Sequence, residues 1–435
     1  MNFDLSDFNG KAVIFIGRGR EGLSFESFIK QNAAISSFLF IDQQDDPNYL
    51  QSLESLDFTK TMIVKTAGCP GRFVPAPYTT PTKVFFDCVK QLGAKVLGVT
   101  GTKGKTTTTM LLGDMLQAGG LPVRVCGNMG TPMLDQLEGA TKDTIFVVEL
   151  SSYQLAELEI SPHIAIVTNL YNDHTDYHGS LEAYWEAKHN IMRYMGPHDT
   201  LIYNPEFAAI SEWLKQSVCK SMTVDATGEV DMSRTRLLGS HNKLNALMAQ
   251  EAAMLLGVSR EICQRAIDAF EPVKHRLQKV AVKGGITFID DAIGSNPEAT
   301  IAGITTLVKE VGPIGCVMLG GQDRNYEYWP LMQLLARLQV PALVLFPETG
   351  AKIKALHPAS YKTELFETDN MQAAVVWAYA HCPKNSICLL STAAPSYSVW
   401  KDFEEKGDLF QQAVLALPDQ DTPPTSPVQT SREPQ

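Results

Sequence analysis

The chain has 435 residues, of which 44% are hydrophobic and 20% charged, and a formal net charge of −11. That length exceeds one ordinary core and predicts two or three domains, while the composition excludes a disordered or fibrous chain. The acidic balance, with no basic stripe, excludes a general nucleic-acid binder.

Eight scattered cysteines, none in a C-x-x-C pair, read as reduced thiols. The N-terminus has neither a basic start nor an apolar leader, and no apolar run approaches the ~20 residues that cross a bilayer. A cytoplasmic protein without membrane insertion is expected.

In chain order, the first apolar run, Ala12–Ile16, predicts a strand that enters Gly17-Arg18-Gly19-Arg-Glu-Gly22. This is a G-x-G-x-x-G loop, with Asp42 20 residues beyond Gly22. The pattern specifies a cradle for a pyrophosphate. A nicotinamide dinucleotide is one reading, but it leaves the lysines and acids further along without a role. Apolar runs at Ser37–Ile41 and Thr61–Val64 predict two more strands.

A fresh strand, Lys95–Val99, runs into Thr100-Gly101-Thr102-Lys103-Gly104-Lys105-Thr106-Thr107, and a helix is predicted over about 105–116. Small residues let backbone N–H groups converge on phosphate oxygens, and the helix N-terminus adds its dipole. Lys105 would reach the terminal phosphates, and the Thr106 hydroxyl would ligate Mg²⁺. Val99 stands where the general phosphate loop has glycine.

Strand Thr144–Leu150 carries Glu149 at its carboxyl end, followed by Leu-Ser-Ser-Tyr-Gln. Strand Ile164–Thr168 leads to Asn169 and on to His174, and Lys188 lies in the helical stretch 181–194. Helices follow at 242–256 and around 260–270, and strands at Gly315–Leu319, Pro341–Leu345 and Ser386–Leu390. Strands alternating with helices argue for α/β architecture with mostly parallel sheets. The expected sections are 1–92, 93–272 and 273–416. A tail, 417–435, holds five prolines and almost nothing apolar, and reads as disordered.

The loop Thr100–Thr106 resembles the ATP loop of the Mur ligases and folylpolyglutamate synthases. Glu149, His174 and Lys188, in that order, resemble the Mur pattern of glutamate, histidine and carbamylated lysine. The resemblance implies that Glu149, His174 and a CO₂-derived carbamate on Lys188 bind Mg²⁺ with Thr106. Gly239-Ser-His-Asn242-Lys-Leu-Asn245 resembles G-x-H-N-x-x-N, whose asparagines sit near ATP, and His275-Arg276-Leu277 resembles a segment whose arginine meets ATP phosphates. Asp290-Asp291-Ala-Ile-Gly-Ser295-Asn296-Pro resembles D-S-K-A-T-N-P, which implies Asp291 beside the adenine–ribose end of ATP.

The same resemblance implies a Rossmann-like first domain for UDP, a central phosphate-loop ATPase-type α/β domain and a Rossmann-like third domain. It assigns Gly17, Arg18, Gly19, Asp42 and Asn128, in the turn Gly127–Gly130, to the nucleotide-sugar. Ser295, Arg324 (in Gly320-Gly-Gln-Asp-Arg), Ser396, Tyr397 and Phe403 would frame an incoming glutamate. The implied activity is ATP-dependent addition of glutamate, D-glutamate before L-glutamate, to UDP-N-acetylmuramoyl-L-alanine (UDP-MurNAc-L-Ala), by a monomer. One departure is Ile293, where these relatives carry lysine; some that add L-glutamate share it. A folylpolyglutamate synthase would have its phosphate loop nearer the N-terminus. A diaminopimelate-adding ligase would carry D-N-P-R, which is absent. A non-catalytic relative would keep the loop but lose the metal ligands.

Overall fold

The computed structural model describes residues 3–42, 50–74, 77–128, 130–171, 175–237, 240–271 and 274–418. The chain divides into two compact units, one comprising Met1–Thr235 with Ser240–Phe270, the other Arg236–Gly239 with Glu271–Gln435. The first unit contains two sheets and the second unit one. The fold is therefore α/β in three layers-and-sheet modules: Rossmann-like, phosphate-loop and Rossmann-like.

The first sheet is built from β1 (Ala12–Ile16), β2 (Ser37–Ile41), β3 (Thr61–Lys65) and the two-residue β4 (Tyr78–Thr79), in the order β2-β1-β3-β4, all parallel. A helix, Pro81–Leu92, then leads out of it. Thr80 caps its start by accepting from the Lys83 N–H, Pro81 takes the first turn, and Gly93 closes it in the left-handed conformation.

The second sheet contains β5 (Lys95–Thr100), β6 (Val123–Gly127), β7 (Ile145–Glu149), β8 (Ile164–Val167), β9 (Thr200–Tyr203) and β10 (Lys220–Thr223). Their order is β10-β9-β8-β5-β7-β6, again parallel. β5, β7 and β8 are buried on both faces, which is why they read as unbroken apolar runs. The chain leaves β5 toward one edge, through β6 and β7, and then crosses to β8 on the other side. That reversal makes a crevice at the carboxyl end of β5, the place where open α/β sheets take ligands.

The third sheet comprises β11 (Gln278–Lys283), β12 (Ile286–Asp290), β13 (Ile314–Gly321), β14 (Ala342–Glu348), β15 (Glu364–Glu367) and β16 (Ile387–Leu390). The order is β11-β12-β16-β13-β14-β15, parallel except for the β11–β12 hairpin. The nine strands expected from apolar runs are all present. β4, β6, β9, β10, β11, β12 and β15 were not expected, although Gly284-Gly285 between β11 and β12 is a hairpin signal. Helix Pro297–Glu310 starts on an Asn296 cap that accepts from the Ala299 N–H, so Asn296 serves the backbone. The ordered core reaches Leu417, one residue into the segment expected to be disordered; Leu417 is buried, while 419–435 lie outside the described residues. No helix among the described residues is long and apolar enough to cross a membrane.

Candidate active site

The phosphate loop leaves β5 after Thr100 and enters helix Lys105–Ala118. Gly104 occupies the cap at φ +81 with no side-chain cap, so the first helical N–H groups stay open to an anion. The loop is fixed from below. Lys103 N–H donates to Asn169 Oδ1 at 2.8 Å, and Thr168 Oγ1 donates to the Lys103 carbonyl at 2.6 Å. Thr102 Oγ1 accepts from the Tyr171 N–H at 2.9 Å. Lys105 lies along the loop, donating to the Thr102 carbonyl at 3.1 Å. Lys103 is exposed, and Thr106 and Thr107 are half-buried.

Lys188 belongs to helix Leu181–Arg193, whose start is capped by Ser180. Its ammonium is buried and donates to the Gly101 carbonyl at 2.9 Å, 4.8 Å from the centroid of the Tyr184 ring. The structure thus brings Lys188 against the floor of the loop. Helix Ser240–Leu255 brings Asn245 to its far end. A Cβ on Gly104 would stand 2.4 Å from Asn245 Oδ1, so only glycine fits there. Asn245 Nδ2 donates to Asn242 Oδ1 at 3.0 Å.

Glu149 ends β7, in register with Val99 on one side and Gly127 on the other. Its carboxylate is buried. Oε1 accepts from Asn128 Nδ2 at 3.1 Å, while Oε2 has no hydrogen-bond partner among the described residues. An orphaned, buried carboxylate oxygen is costly unless a cation completes it, so Glu149 fits a divalent metal. His174 lies outside the described residues. Among the described residues no group of three or more His, Cys, Asp or Glu side chains stands ready to hold a metal.

Asn128 also faces a cleft of about 410 Å³ between the first two sheets, lined by Arg20, Glu21, Thr66, Ser151, Tyr153 and Gln154 among others. Glu21 accepts from Thr66 Oγ1 at 2.9 Å and from the Ala67 N–H at 3.3 Å; burial pushes its carboxyl up, against those two bonds. Ser151 and Gln154 form a capping box. Of the first glycine loop, Arg20 and Glu21 line this cleft. Earlier in that loop the Arg18 N–H donates to Asp42 Oδ2 at 3.1 Å, and Gly17, Arg18, Gly19 and Asp42, expected at the nucleotide-sugar, are not among the cleft walls. Glu21, Thr66, Tyr153 and Gln154 were missed. The strand-end rule that singled out Glu149 would have found Thr66, which directly follows β3.

In the second unit the site residues gather at the carboxyl ends of β12, β13 and β16. Asp291 is buried; Oδ2 accepts from Ser391 Oγ at 2.8 Å and Oδ1 from the Leu277 N–H at 3.3 Å. Burial pushes Asp291 up to about 7, opposed by those bonds and by Arg276, which is itself exposed. The Gln322 N–H donates to the Pro395 carbonyl at 2.8 Å, which joins the Gly320–Arg324 turn to the segment carrying Ser396. Ser396 is buried, Ser295, Ile293 and Phe403 are half-buried, and Arg324 and Tyr397 are exposed. Arg324 Nε donates to Gln322 Oε1 at 3.3 Å.

A phosphate loop at a sheet's switch point, with an orphaned carboxylate one strand away, marks an ATP-using enzyme of the phosphate-loop class. Residues 99–253 match the Mur ligase middle domain. The chain is 33% identical over 394 residues to a UDP-N-acetylmuramoylalanine–D-glutamate ligase of Bacillus thuringiensis (strain Al Hakam), covering 84% of this chain and 85% of that one. It is 32% identical over 350 residues to the enzyme of the same name from Symbiobacterium thermophilum, covering 74% and 76%. The fold is that of MurF ligase from Thermotoga maritima, solved with ADP, at a TM-score of 0.59 and 16% identity over 95% of this chain and 98% of that one. The chain belongs to the Mur ligase family and is an ATP-dependent ligase.

Proposed function

We propose that this ligase joins D-glutamate to UDP-MurNAc-L-Ala, as a cytoplasmic monomer, in the synthesis of peptidoglycan precursors. The observation that carries the reading is Asn128. Its side chain donates to Glu149, the candidate metal ligand, and also faces the 410 Å³ cleft. A substrate in that cleft would present its carboxylate toward the phosphate loop. The glutamate specificity rests on the two relatives, both named for D-glutamate.

Mg²⁺ would be held by Thr106, Glu149, His174 and a carbamate on Lys188, and would supply charge neutralisation at the phosphates. The chain's own groups do the positioning. The Thr100–Thr107 backbone cradles the phosphates of ATP, with Asn242 and Asn245 at its far end, and Lys105 swings from the Thr102 carbonyl to the terminal phosphates. An alanyl carboxylate oxygen attacks the γ-phosphorus, the bond to the β-phosphate oxygen breaks, and ADP leaves. The glutamate amine then attacks the acyl carbon. Inorganic phosphate departs with the C–O electron pair, the nitrogen loses its proton, and an amide remains. No nucleophilic side chain is needed; orientation and charge stabilisation carry the rate. Asp291 and Arg276 would serve ATP, and Ser295, Arg324, Ser396, Tyr397 and Phe403 the amino acid. Gly17, Arg18, Gly19 and Asp42, in the section 1–92, would serve the nucleotide-sugar together with Asn128, in the section 93–272 that also carries the phosphate loop, while 273–416 would carry the acceptor residues along with Asp291 and Arg276.

A second reading, L-glutamate as acceptor, is favoured by Ile293, which removes a cation from the acceptor side. The deciding experiment incubates the protein with ATP, Mg²⁺, UDP-MurNAc-L-Ala and either enantiomer, with mass spectrometry of the product. Product with D-glutamate alone is expected. Product with L-glutamate alone moves the assignment to the second reading, and product with neither overturns both.

A further inference from the structure

Lys406 sits in helix Phe403–Leu415 and is fully buried. Its ammonium donates to Thr392 Oγ1 at 2.5 Å and lies 5.8 Å from the centroid of the Trp400 ring. Thr392 Oγ1 in turn donates to the Ala394 carbonyl at 2.9 Å, across Ala393, which is held at φ +55. A non-glycine residue keeps that conformation only when its surroundings over-determine it. The surroundings do so here. The Gly320 N–H donates to the Thr392 carbonyl at 2.9 Å, the Gln322 N–H to the Pro395 carbonyl at 2.8 Å, and the Tyr328 hydroxyl to the Ala393 carbonyl at 3.3 Å. Ser396 follows immediately.

The charges around Lys406 come from several elements. Asp290 and Asp291, at the end of β12, attract the ammonium, while burial pulls it down to about 7. Asp290 Oδ2 accepts from Gln411 Nε2 at 2.8 Å and lies 2.7 Å from His275 Nδ1, and His275 Nε2 is 3.6 Å from Asp408. Arg276 acts on Asp291. A lysine in such a place is a poor choice for stability alone, because burying an ammonium costs more than an apolar side chain of the same length.

We propose that Lys406 is a positioning residue for the amino-acid acceptor: its ammonium locks Thr392, and through it the Ala393–Ser396 turn, and so sets the affinity for glutamate without touching substrate. The inference rests on the reading that this turn receives glutamate. A neutral amine still bonds Thr392, but the charge-assisted grip and the attraction to the two aspartates are lost. Glutamate binding therefore weakens as the ammonium deprotonates.

The test compares the wild type with K406M and T392V, using ATP, UDP-MurNAc-L-Ala and the preferred glutamate between about pH 6 and about pH 9. Both variants should raise the KM for glutamate by about tenfold and leave the KM values for ATP and the nucleotide-sugar within about twofold. The ratio of the T392V to the wild-type KM should fall toward one above about pH 7, because the wild-type grip loosens there. Dividing the two cancels the titration of glutamate's own amine. Three KM values that move together, or a ratio flat in pH, overturn the proposal. Should the wild type use neither enantiomer, the acceptor reading fails while the lock is still read directly by hydrogen exchange of the 391–396 peptide in substrate-free protein. Protection should drop in both variants and, after correction for intrinsic rates, in the wild type above about pH 7. Unchanged protection overturns the lock, and T392V decides the matter if K406M fails to fold.

Discussion

Replacing Gly101 by alanine should disable ATP binding while leaving the fold standing. Gly101 has φ +147, and a Cβ there would sit 1.9 Å from Thr168 Oγ1 and 3.1 Å from the Asn169 N–H nitrogen. Thr168 cannot retreat without loss, since its hydroxyl holds the Lys103 carbonyl at 2.6 Å. The backbone conformation costs an alanine about 2 kcal/mol, and breaking the Thr168 bond costs about 1 kcal/mol. If the loop escapes by moving outward, binding must drag it back at a cost of about 3 kcal/mol, roughly a hundredfold in affinity. Calorimetric titration with a non-hydrolysable ATP analogue and Mg²⁺ reads the loss, and thermal unfolding reads the fold. Adding Thr168→Ala to Gly101→Ala removes the obstructing oxygen and should recover part of the affinity, a coupling that a double-mutant cycle isolates. Binding by Gly101→Ala within about threefold of the wild type would refute the reasoning.

Two further outcomes follow from buried groups. Lys188→Ala removes the ammonium that donates to the Gly101 carbonyl, and with it the proposed carbamate; turnover should fall by about a thousandfold, with partial rescue by added acetate or propionate. Near-normal turnover would sink the carbamate assignment. Asp291 has its folded pKa raised from 3.8 to about 7. Its contribution to stability is therefore complete below about pH 4 and is lost as pH rises through about 7, when the unfolded chain ionises more readily than the folded one. Asp291→Asn cannot ionise, so its stability relative to the wild type should improve by about 2 kcal/mol or more between pH 5 and pH 8 in urea titrations. A difference that does not change with pH would contradict the burial argument.

The strands were legible where burial on both faces left unbroken apolar runs, as in β5, β7 and β8. β10, Lys-Ser-Met-Thr, was not, because an edge strand open to solvent needs no such run. The phosphate loop was legible because its parts are contiguous: one strand, one loop and one helix N-terminus. The cleft was not, since Glu21, Thr66 and Tyr153 meet only through the packing of two sheets. Lys188 was found by resemblance alone. Its helix reads as an ordinary amphipathic one, and nothing local says that position 188 faces inward.

Lys406 and Lys65 escaped notice for the same reason, and the three lysines together carry a general point. Lys65, Lys188 and Lys406 are among the largest fully buried side chains, and each serves a different sheet. Lys65 ends β3, where its ammonium lies 3.6 Å from Glu157 and has no hydrogen-bond partner among the described residues. Lys188 reaches the residue after β5, and Lys406 reaches Thr392, two residues beyond β16. Burying an ammonium costs several kcal/mol, so stability alone would favour leucine or methionine at all three positions. What the three positions share is the carboxyl edge of a parallel sheet, where an α/β fold takes its ligands. A buried cation there fixes loop carbonyls, hydroxyls and carboxylates in one arrangement, and its cost to stability is the cost of holding that edge still.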